Sequence, residues 1–189
     1  MNKIIGILGM QGAIAEHQEI LLQIPHTKTR IIKTAKDLDC IDGLILPGGE
    51  STAIGKLLDY FSLKEILRQK IISGLPVFGT CAGLILLAKN IENQTNTHLA
   101  TMDITVKRNG YGSQLDSFST NLLIPTIDKN MPIPLVFIRA PYITKTDKDV
   151  QILATLDNKI IAARQKNMLV SSFHPELTCD LRFHQYFLS

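Results

Sequence analysis

Residues 75–88 constrain the fold most, because a short apolar run there passes into an apolar, helix-favouring run with no room for a loop. The centre reads GTCAG, so Gly79 and Gly83 each stand two residues from Cys81. This is the spacing of a nucleophile elbow, where small neighbours let a strand and a helix pass closely. We expect Cys81 at a helix N-terminus, which favours its thiolate, and the Ala82 N–H near a developing oxyanion. The alternative is a buried structural cysteine between two packing glycines.

The segments before this run alternate between short apolar strands and amphipathic helices. Such alternation predicts an α/β fold with a mostly parallel central sheet and helices on both faces, giving three layers. Later segments alternate polar and apolar residues, which predicts a small antiparallel addition to the sheet. The predicted strands are residues 3–8, 27–33, 43–46, 135–141, 150–156, 159–164 and 168–173, with short antiparallel strands within 102–123. Four further helices are predicted. Two of them cover residues 13–23 and 180–188. Another begins near residue 53, and the last begins with a capping box at 62–65 and ends near residue 73.

The loop at residues 47–52, PGGEST, follows one of the predicted parallel strands. Its adjacent glycines, Gly48 and Gly49, allow the backbone to approach a ligand closely. Ser51 or Thr52 is expected to cap the following helix, whose free N–H groups suit a carboxylate or an oxyanion. A plain helix-capping loop would have the same composition.

A histidine and a carboxylate stand two residues apart at 174–176, HPE, after the last predicted strand. Pro175 keeps His174 extended, so His174 and Glu176 are expected side by side on one side of an extended segment. A carboxylate beside an imidazole sets its tautomer and raises its basicity. A surface loop with an unrelated histidine is the alternative. The other four histidines have no evident partner and are interpreted as structural or solvated.

The composition excludes several classes of protein. A chain of 189 residues predicts one domain, 1–189. Its net charge of +3 comes without a dominant basic run, so no nucleic-acid partner is expected. No apolar stretch reaches the roughly 18 residues of a membrane span, and no signal peptide is evident. Three widely spaced cysteines predict neither disulfides nor a metal site, and they favour a cytoplasmic location.

Together these motifs resemble the three signatures of the triad (class I) glutamine amidotransferases: residues 79–83, 47–52 and 174–176. The runs GMQGA at 9–13 and FIRAP at 137–141 are similar to those of one family among them, the glutaminase subunits of pyridoxal 5′-phosphate synthase. The similarity extends from about Ile5 to Glu176, nearly the whole chain.

The resemblance implies hydrolysis of L-glutamine to glutamate and ammonia by Cys81, His174 and Glu176, without a cofactor or metal. Cys81 would attack the amide, His174 would transfer protons, and Glu176 would hold the His174 ring. The N–H groups of Gly49 and Ala82 would form the oxyanion hole. The residues implied in substrate binding are Gly49, Glu50, Ser51, Arg108, Ile138 and Arg139.

The resemblance also implies a partner, a (β/α)₈-barrel synthase subunit that receives the ammonia within a hetero-oligomer. Family members are nearly inactive without it. Because the Gly48–Gly49 peptide can flip at little steric cost, the oxyanion hole is expected to form only when the partner docks. We expect Gln11 and the loop at 9–12 to transmit that contact.

Three alternatives remain at this point. A sister glutaminase for histidine or purine synthesis would have the same triad and would differ in the synthase that it activates. A γ-glutamyl hydrolase or a peptidase-like relative would prefer peptide or folate substrates to free glutamine. A non-enzymatic binding module would carry a Cys81 that fails to react with a glutamine-analogue electrophile.

Overall fold

The computed structural model describes residues 2–110 and 117–189, which form one large sheet, a two-stranded sheet and flanking helices. The strands are β1 Lys3–Leu8, β2 Thr27–Ile32, β3 Gly43–Leu46, β4 Val77–Thr80, β5 Ala88–Ile91, β6 Met102–Lys107, β7 Ser117–Leu122, β8 Ile133–Ile138, β9 Tyr142–Thr146, β10 Gln151–Leu156, β11 Lys159–Gln165 and β12 Met168–Ser171. The α-helices are α1 Ile14–Leu22, α2 Ser51–Tyr60, α3 Lys64–Ile72, α4 Ala82–Leu87 and α5 Arg182–Leu188. Two 3₁₀ helices cover Ala35–Leu38 and Pro175–Leu177.

One half of the large sheet is parallel, in the order β2-β1-β3-β4-β12. Every residue of β3, β4 and β12 is buried, as expected for parallel strands that are covered on both faces. Because the carboxyl ends of parallel strands meet at one edge, the chain leaves Leu46, Thr80 and Ser171 at neighbouring positions. The candidate catalytic motifs directly follow these three positions.

The other half of the sheet is mainly antiparallel and continues β12-β11-β9-β6-β5, with β10 paired to β11. The predicted antiparallel strands within 102–123 do not pair with each other. Instead β6 pairs with β9, whereas β7 pairs with β8 in the separate sheet. Strands β5 and β9 were not predicted. A turn is predicted at residues 108–112, between the strands within 102–123, and its residues 111 and 112 lie outside the described residues.

Helices cover both faces of the large sheet and confirm the predicted three-layer α/β fold. On one face, α2, α3 and α4 contribute Ile54, Leu67 and Leu84 to one apolar cluster. On the other face, α1 and α5 contribute Leu21 and Phe183 to a second cluster. Burial of these apolar side chains on both faces is the main stabilisation of the sheet. Among the residues that the structure describes, none of the helices is long and apolar enough to cross a membrane.

The helix starts differ from the predictions. Helix α2 begins at Ser51, and the Glu50 carboxylate caps it, so the predicted caps Ser51 and Thr52 were wrong. The capping box at 62–65 does not form, because Ser62 has φ 53° and Leu63, the N-cap of α3, makes no side-chain cap bond. The predicted end is confirmed: Gly74 has φ +105° and closes α3 in a Schellman arrangement, its N–H donating to Ile71 O.

Helix α5 starts at Arg182, two residues later than predicted. The Asp180 carboxylate accepts the Arg182 backbone N–H at 2.9 Å and also pairs with the Arg182 guanidinium. Asp180 therefore precedes the helix and satisfies one of its free donors, instead of lying within it.

Candidate active site

Cys81 occupies the sharp turn between β4 and α4 that the sequence predicts. Its backbone has φ 49° and ψ −98°, and its N–H donates to Ser171 O at 2.8 Å. A Cβ at Gly79 would lie 2.6 Å from the Gly83 carbonyl carbon, and a Cβ at Gly83 would lie 2.1 Å from Leu46 O. Both glycines are therefore required by the close approach of strand and helix, which confirms the elbow geometry.

His174 follows β12, and its N–H donates to Val136 O at 2.8 Å. Its Nδ1 lies 2.7 Å from Glu176 Oε1, so the predicted contact is present. The backbone does not make that contact in the predicted way. Pro175 and Glu176 begin a 3₁₀ turn instead of continuing an extended segment, and the turn brings the carboxylate back to the ring.

Cys81, His174 and Glu176 lie together and are nearly buried, with 9%, 7% and 6% of their surfaces exposed. Burial lowers the pKa of His174, but hydrogen bonds to Cys81 and Glu176 and the charges of both outweigh it and raise the pKa to about 10. Burial would raise the pKa of Glu176, but His17 and His174 keep it below its ordinary value. The arrangement therefore favours an imidazolium between a sulfur and a carboxylate.

The Gly48–Gly49 segment lies against this triad. A Cβ at Gly48 would stand 2.4 Å from His174 Cε1 and 3.5 Å from Cys81 Cβ. The Gly48 carbonyl accepts the N–H of Ala13 at 3.0 Å, which determines which way the Gly48–Gly49 peptide points. Gly12, with φ +114°, packs so closely that a Cβ there would lie 1.8 Å from Gly48 O.

Gln11 holds the same segment from the other side. Its Oε1 accepts the Glu50 N–H at 2.8 Å, and a Cβ at Gly49 would lie 2.6 Å from that oxygen. The loop at 9–12 and the loop at 47–52 are therefore packed as one unit. A movement of either loop changes the position of the Gly49 N–H.

Glu50 and Arg108, both predicted to bind substrate, contact each other. The Glu50 carboxylate accepts the N–H groups of Thr52 and Ala53 at 3.0 and 2.6 Å, and Arg108 Nη2 at 3.0 Å. Burial raises the pKa of Glu50, but these hydrogen bonds outweigh it, so the pKa is lowered. Arg108 Nη1 also donates to Thr52 Oγ1 at 3.1 Å. Half of the Glu50 side chain is exposed, so water screens this pair.

A cavity of about 750 Å³ opens beside the triad at the carboxyl edge of the parallel strands. Its lining includes the predicted site residues Gln11, Gly49, Glu50, Ser51, Cys81, Ala82, Arg108, Ile138, Arg139 and His174. Glu176 does not line the cavity and lies behind His174. Arg139 is exposed with φ 44°, and the buried Ser51 Oγ has no hydrogen-bond partner within the described part of the chain.

Two histidines that were interpreted as structural or solvated lie directly behind the triad. His17 and His184 are fully buried, and His17 Nε2 stands 3.5 Å from Glu176 Oε2. A sequence signal for His17 existed, because it stands three residues after Ile14 and four before Leu21, on the apolar face of α1. A polar ring on such a face needs a buried partner.

Comparisons with known proteins identify the family of this chain. The profile of the SNO glutamine amidotransferase family matches residues 7–189. Pyridoxal 5′-phosphate synthase subunit PdxT of Carboxydothermus hydrogenoformans is 56% identical over 184 residues, which cover 97% of this chain and 95% of the other. The protein of the same name from Clostridium botulinum is 54% identical, with the same coverage.

Solved structures extend the comparison. A crystal structure described as a glutamine amidotransferase shares 39% identity with a TM-score of 0.89, covering 97% of this chain and 96% of that one. PurLQS from Thermotoga maritima matches with a TM-score of 0.70 at 14% identity, covering 100% of this chain and 98% of the other. At that identity the second likeness concerns the fold alone.

Proposed function

Because this chain belongs to the SNO glutamine amidotransferase family, we propose that it hydrolyses L-glutamine as the glutaminase subunit of pyridoxal 5′-phosphate synthase. The ammonia passes to the synthase subunit, and glutamate is released. Relatives with 54–56% identity have the name of that subunit, whereas PurLQS shares only the fold. The observation that carries the mechanism is the placement of Cys81 and His174 at one cavity, with His174 Nδ1 2.7 Å from Glu176 Oε1.

The first half of the reaction forms a thioester. The Cys81 thiolate attacks the carbon of the side-chain amide, and the carbonyl electron pair moves onto oxygen. The His174 imidazolium donates its proton to the nitrogen, the C–N bond breaks, and ammonia leaves as the carbonyl re-forms. The contact between His174 and Cys81 supports both proton transfer and stabilisation of the thiolate.

The second half releases glutamate. His174, now neutral, takes a proton from a water molecule, and the resulting hydroxide attacks the thioester carbon. The C–S bond then breaks, so glutamate leaves and the Cys81 thiolate and His174 imidazolium are restored. Glu176 keeps the ring oriented through both halves, because its Oε1 accepts the proton on Nδ1 and leaves Nε2 for the chemistry.

The N–H groups of Gly49 and Ala82 form the proposed oxyanion hole. The bond from Ala13 N–H to Gly48 O and the bond from Glu50 N–H to Gln11 Oε1 together fix the peptide that carries the Gly49 donor. Docking of the synthase on the loop at 9–12 would change both bonds and reorient this donor. A Gln11→Ala chain should therefore show weakened activation by the synthase, and undiminished activation would contradict this role.

The substrate's α-amino-acid group is proposed to bind on the exposed side of the cavity. Arg108 and Arg139 suit its α-carboxylate, and Glu50 suits its α-amine. Ile138 supplies an apolar wall. The Ser51 hydroxyl is buried at the start of α2 with no partner among the described residues, so it can accept or donate a hydrogen bond to substrate.

The decisive experiment measures glutamate and ammonia release by the purified chain, with and without a cognate barrel synthase. Activity that requires the synthase and is lost in Cys81→Ala, but kept in the exposed-cysteine control Cys179→Ala, is expected. The proposal fails if the synthase has no effect or if Cys81→Ala retains activity. Preferential turnover of γ-glutamyl peptides or folates would favour the hydrolase alternative.

We also propose that the reaction takes place in the cytoplasm. All three cysteines are free, and Cys40 and Cys179 are exposed, which suits a reducing compartment. Fractionation of cells that produce the native chain tests this location.

A further inference from the structure

A pair of buried histidines adjoins the candidate triad on the side away from the cavity. His17 lies on α1 and His184 on α5, and neither is exposed. His17 Nδ1 and His184 Nε2 are 3.0 Å apart, and His17 Nε2 is 3.1 Å from Thr80 Oγ1. The same Nε2 stands 3.5 Å from Glu176 Oε2. The pair therefore connects the C-terminal helix to the carboxylate that orients His174.

Burial is the main cause that keeps both rings neutral. Burial lowers the pKa of His17, against an opposing effect of Glu176 and a smaller one of Glu16, while His174 lowers it further. Burial and His17 lower the pKa of His184 to about 3. Each ring therefore carries a single proton, and the hydrogen bond between the rings decides where each proton lies.

Two arrangements of these protons are possible, and the neighbours distinguish them. If His17 donated from Nδ1, the proton of His184 would lie on its own Nδ1, which is buried with no hydrogen-bond partner in the described residues. The lone pair of His17 Nε2 would then face the Glu176 carboxylate. If His184 donates from Nε2 instead, the His17 proton lies on Nε2 and points towards Thr80 Oγ1 and Glu176 Oε2. The second arrangement avoids both a buried unsatisfied donor and the repulsion.

Building on the function proposed above, we infer that His17 is a positioning residue that donates from Nε2 towards Glu176 and thereby holds the carboxylate against His174. Glu176 Oε2 has no other hydrogen-bond partner in the described residues, although its carboxylate is buried. His184 determines which nitrogen of His17 carries the proton. The arrangement extends the series Cys81, His174, Glu176 by two rings that never contact substrate.

The first test needs no enzymatic activity. Long-range ¹H–¹⁵N NMR of the purified chain reports the tautomer of each ring, and we expect His17 and His184 both protonated at Nε2. The same spectra follow the titration of His174, whose pKa is about 10. Replacing His17 with leucine removes the group that holds Glu176 in place, so the contact between Glu176 and His174 should loosen and the His174 midpoint should move towards neutral pH. His17 protonated at Nδ1, or an unmoved His174 midpoint in a folded variant, would overturn the inference.

The second test uses the complex with the synthase and three variants. His17→Leu should lower kcat on the order of 10- to 100-fold with little change in KM, because a buried carboxylate loses a donor. His17→Gln places an amide N–H near the position of Nε2 and should recover much of that loss, and the exposed control His26→Gln should match the wild type. Equal kcat in the Leu and Gln variants would contradict a donor role. If the wild-type complex released no ammonia, the proposed function would fail, while the NMR test would still decide the role of His17.

Discussion

The two sides of the cavity are built differently. The proposed catalytic side, which comprises Cys81, His174 and the Glu176 carboxylate behind His174, follows adjacent parallel strands and is at most 9% exposed. The proposed substrate side, which comprises Glu50, Arg108 and Arg139, stands on loops, and half of the Glu50 side chain is in contact with solvent. On the catalytic side the charges are buried with fixed partners. On the substrate side Glu50 and Arg108 form an ion pair that is partly exposed to water, whereas Arg139 makes no ion pair within the described residues.

The difference separates two requirements of catalysis. Buried partners hold a proton donor and a nucleophile in a fixed relative position, which lowers the barrier most where the bond is broken. An exposed ion pair contributes little stability, so Arg108 can exchange Glu50 for a substrate carboxylate at small cost. On the proposed assignment, the buried contacts serve the chemistry and the exposed ion pair serves the recognition of substrate.

Among these variants, Gly48→Ala should reduce the activity most. The added Cβ would stand 2.4 Å from His174 Cε1, so the ring must move away from Cys81. Because small displacements of a reacting group are costly, kcat should fall about 10²-fold or more. Gly74→Ala is the control: it strains a residue at φ +105° but meets no atom within 4 Å, so it should lower the unfolding free energy by about 1 kcal/mol and leave kcat intact. A fully active Gly48→Ala enzyme would contradict the geometry.

Arg108→Gln and Arg139→Gln probe the substrate side. Loss of a guanidinium that binds the α-carboxylate should raise KM for glutamine about 10- to 100-fold with little change in kcat, since the triad is untouched. The larger effect is expected for Arg139, which makes no ion pair within residues 2–110 and 117–189, whereas Arg108 is already held by Glu50. Steady-state kinetics of the complex with the synthase measure both. An unchanged KM in both variants would mean that neither arginine binds the substrate.

The same contrast explains how much the sequence could predict. The proposed triad could be predicted because its sequence patterns are local. The run GTCAG indicates a close approach of strand and helix, and the run HPE places an imidazole and a carboxylate two residues apart. The buried strands β1 and β3 were found at their observed bounds for the same reason. Only the backbone at Glu176 was wrong, because a 3₁₀ turn and an extended segment both fit HPE.

Contacts between residues that are far apart in the chain could not be predicted from the sequence. Glu50 became the cap of α2 partly through Arg108, which is 58 residues away, whereas local propensity favoured Ser51. His17 and His184, 167 residues apart, meet only because α1 and α5 pack on the same face of the sheet. Strand β9 contains Thr and Lys and is a strand because β6 pairs with it. In each case tertiary packing decided between local alternatives.

Glu50→Gln should have a smaller effect than either arginine variant on activity and a measurable effect on stability. It weakens the cap of α2 and releases Arg108, so the unfolding free energy should fall by about 0.5–1 kcal/mol and KM should change only severalfold. Asp37→Asn is the matched control, because Asp37 caps the 3₁₀ helix Ala35–Leu38 away from the cavity. It should destabilise the chain without changing KM. An equal change in KM for both variants would mean that Glu50 acts only through stability.

The pH dependence of stability should distinguish the two sides by the end of the pH scale at which each contribution is lost. The pKa of His174 is raised from 6.5 to about 10, so the stabilisation it adds is complete below pH 6.5 and is lost as the pH rises through 10. The pKa of Glu50 is lowered from 4.5, so its contribution is present above that pH and fades as the pH falls. Urea unfolding should therefore show the difference between wild type and His174→Gln shrinking on the alkaline side. The difference between wild type and Glu50→Gln, a fraction of a kcal/mol to about 1 kcal/mol, should shrink on the acid side. If both differences shrank at the same end of the pH scale, the folded protein would not raise the pKa of His174 and lower the pKa of Glu50. The contrast between the two sides of the cavity would then be wrong.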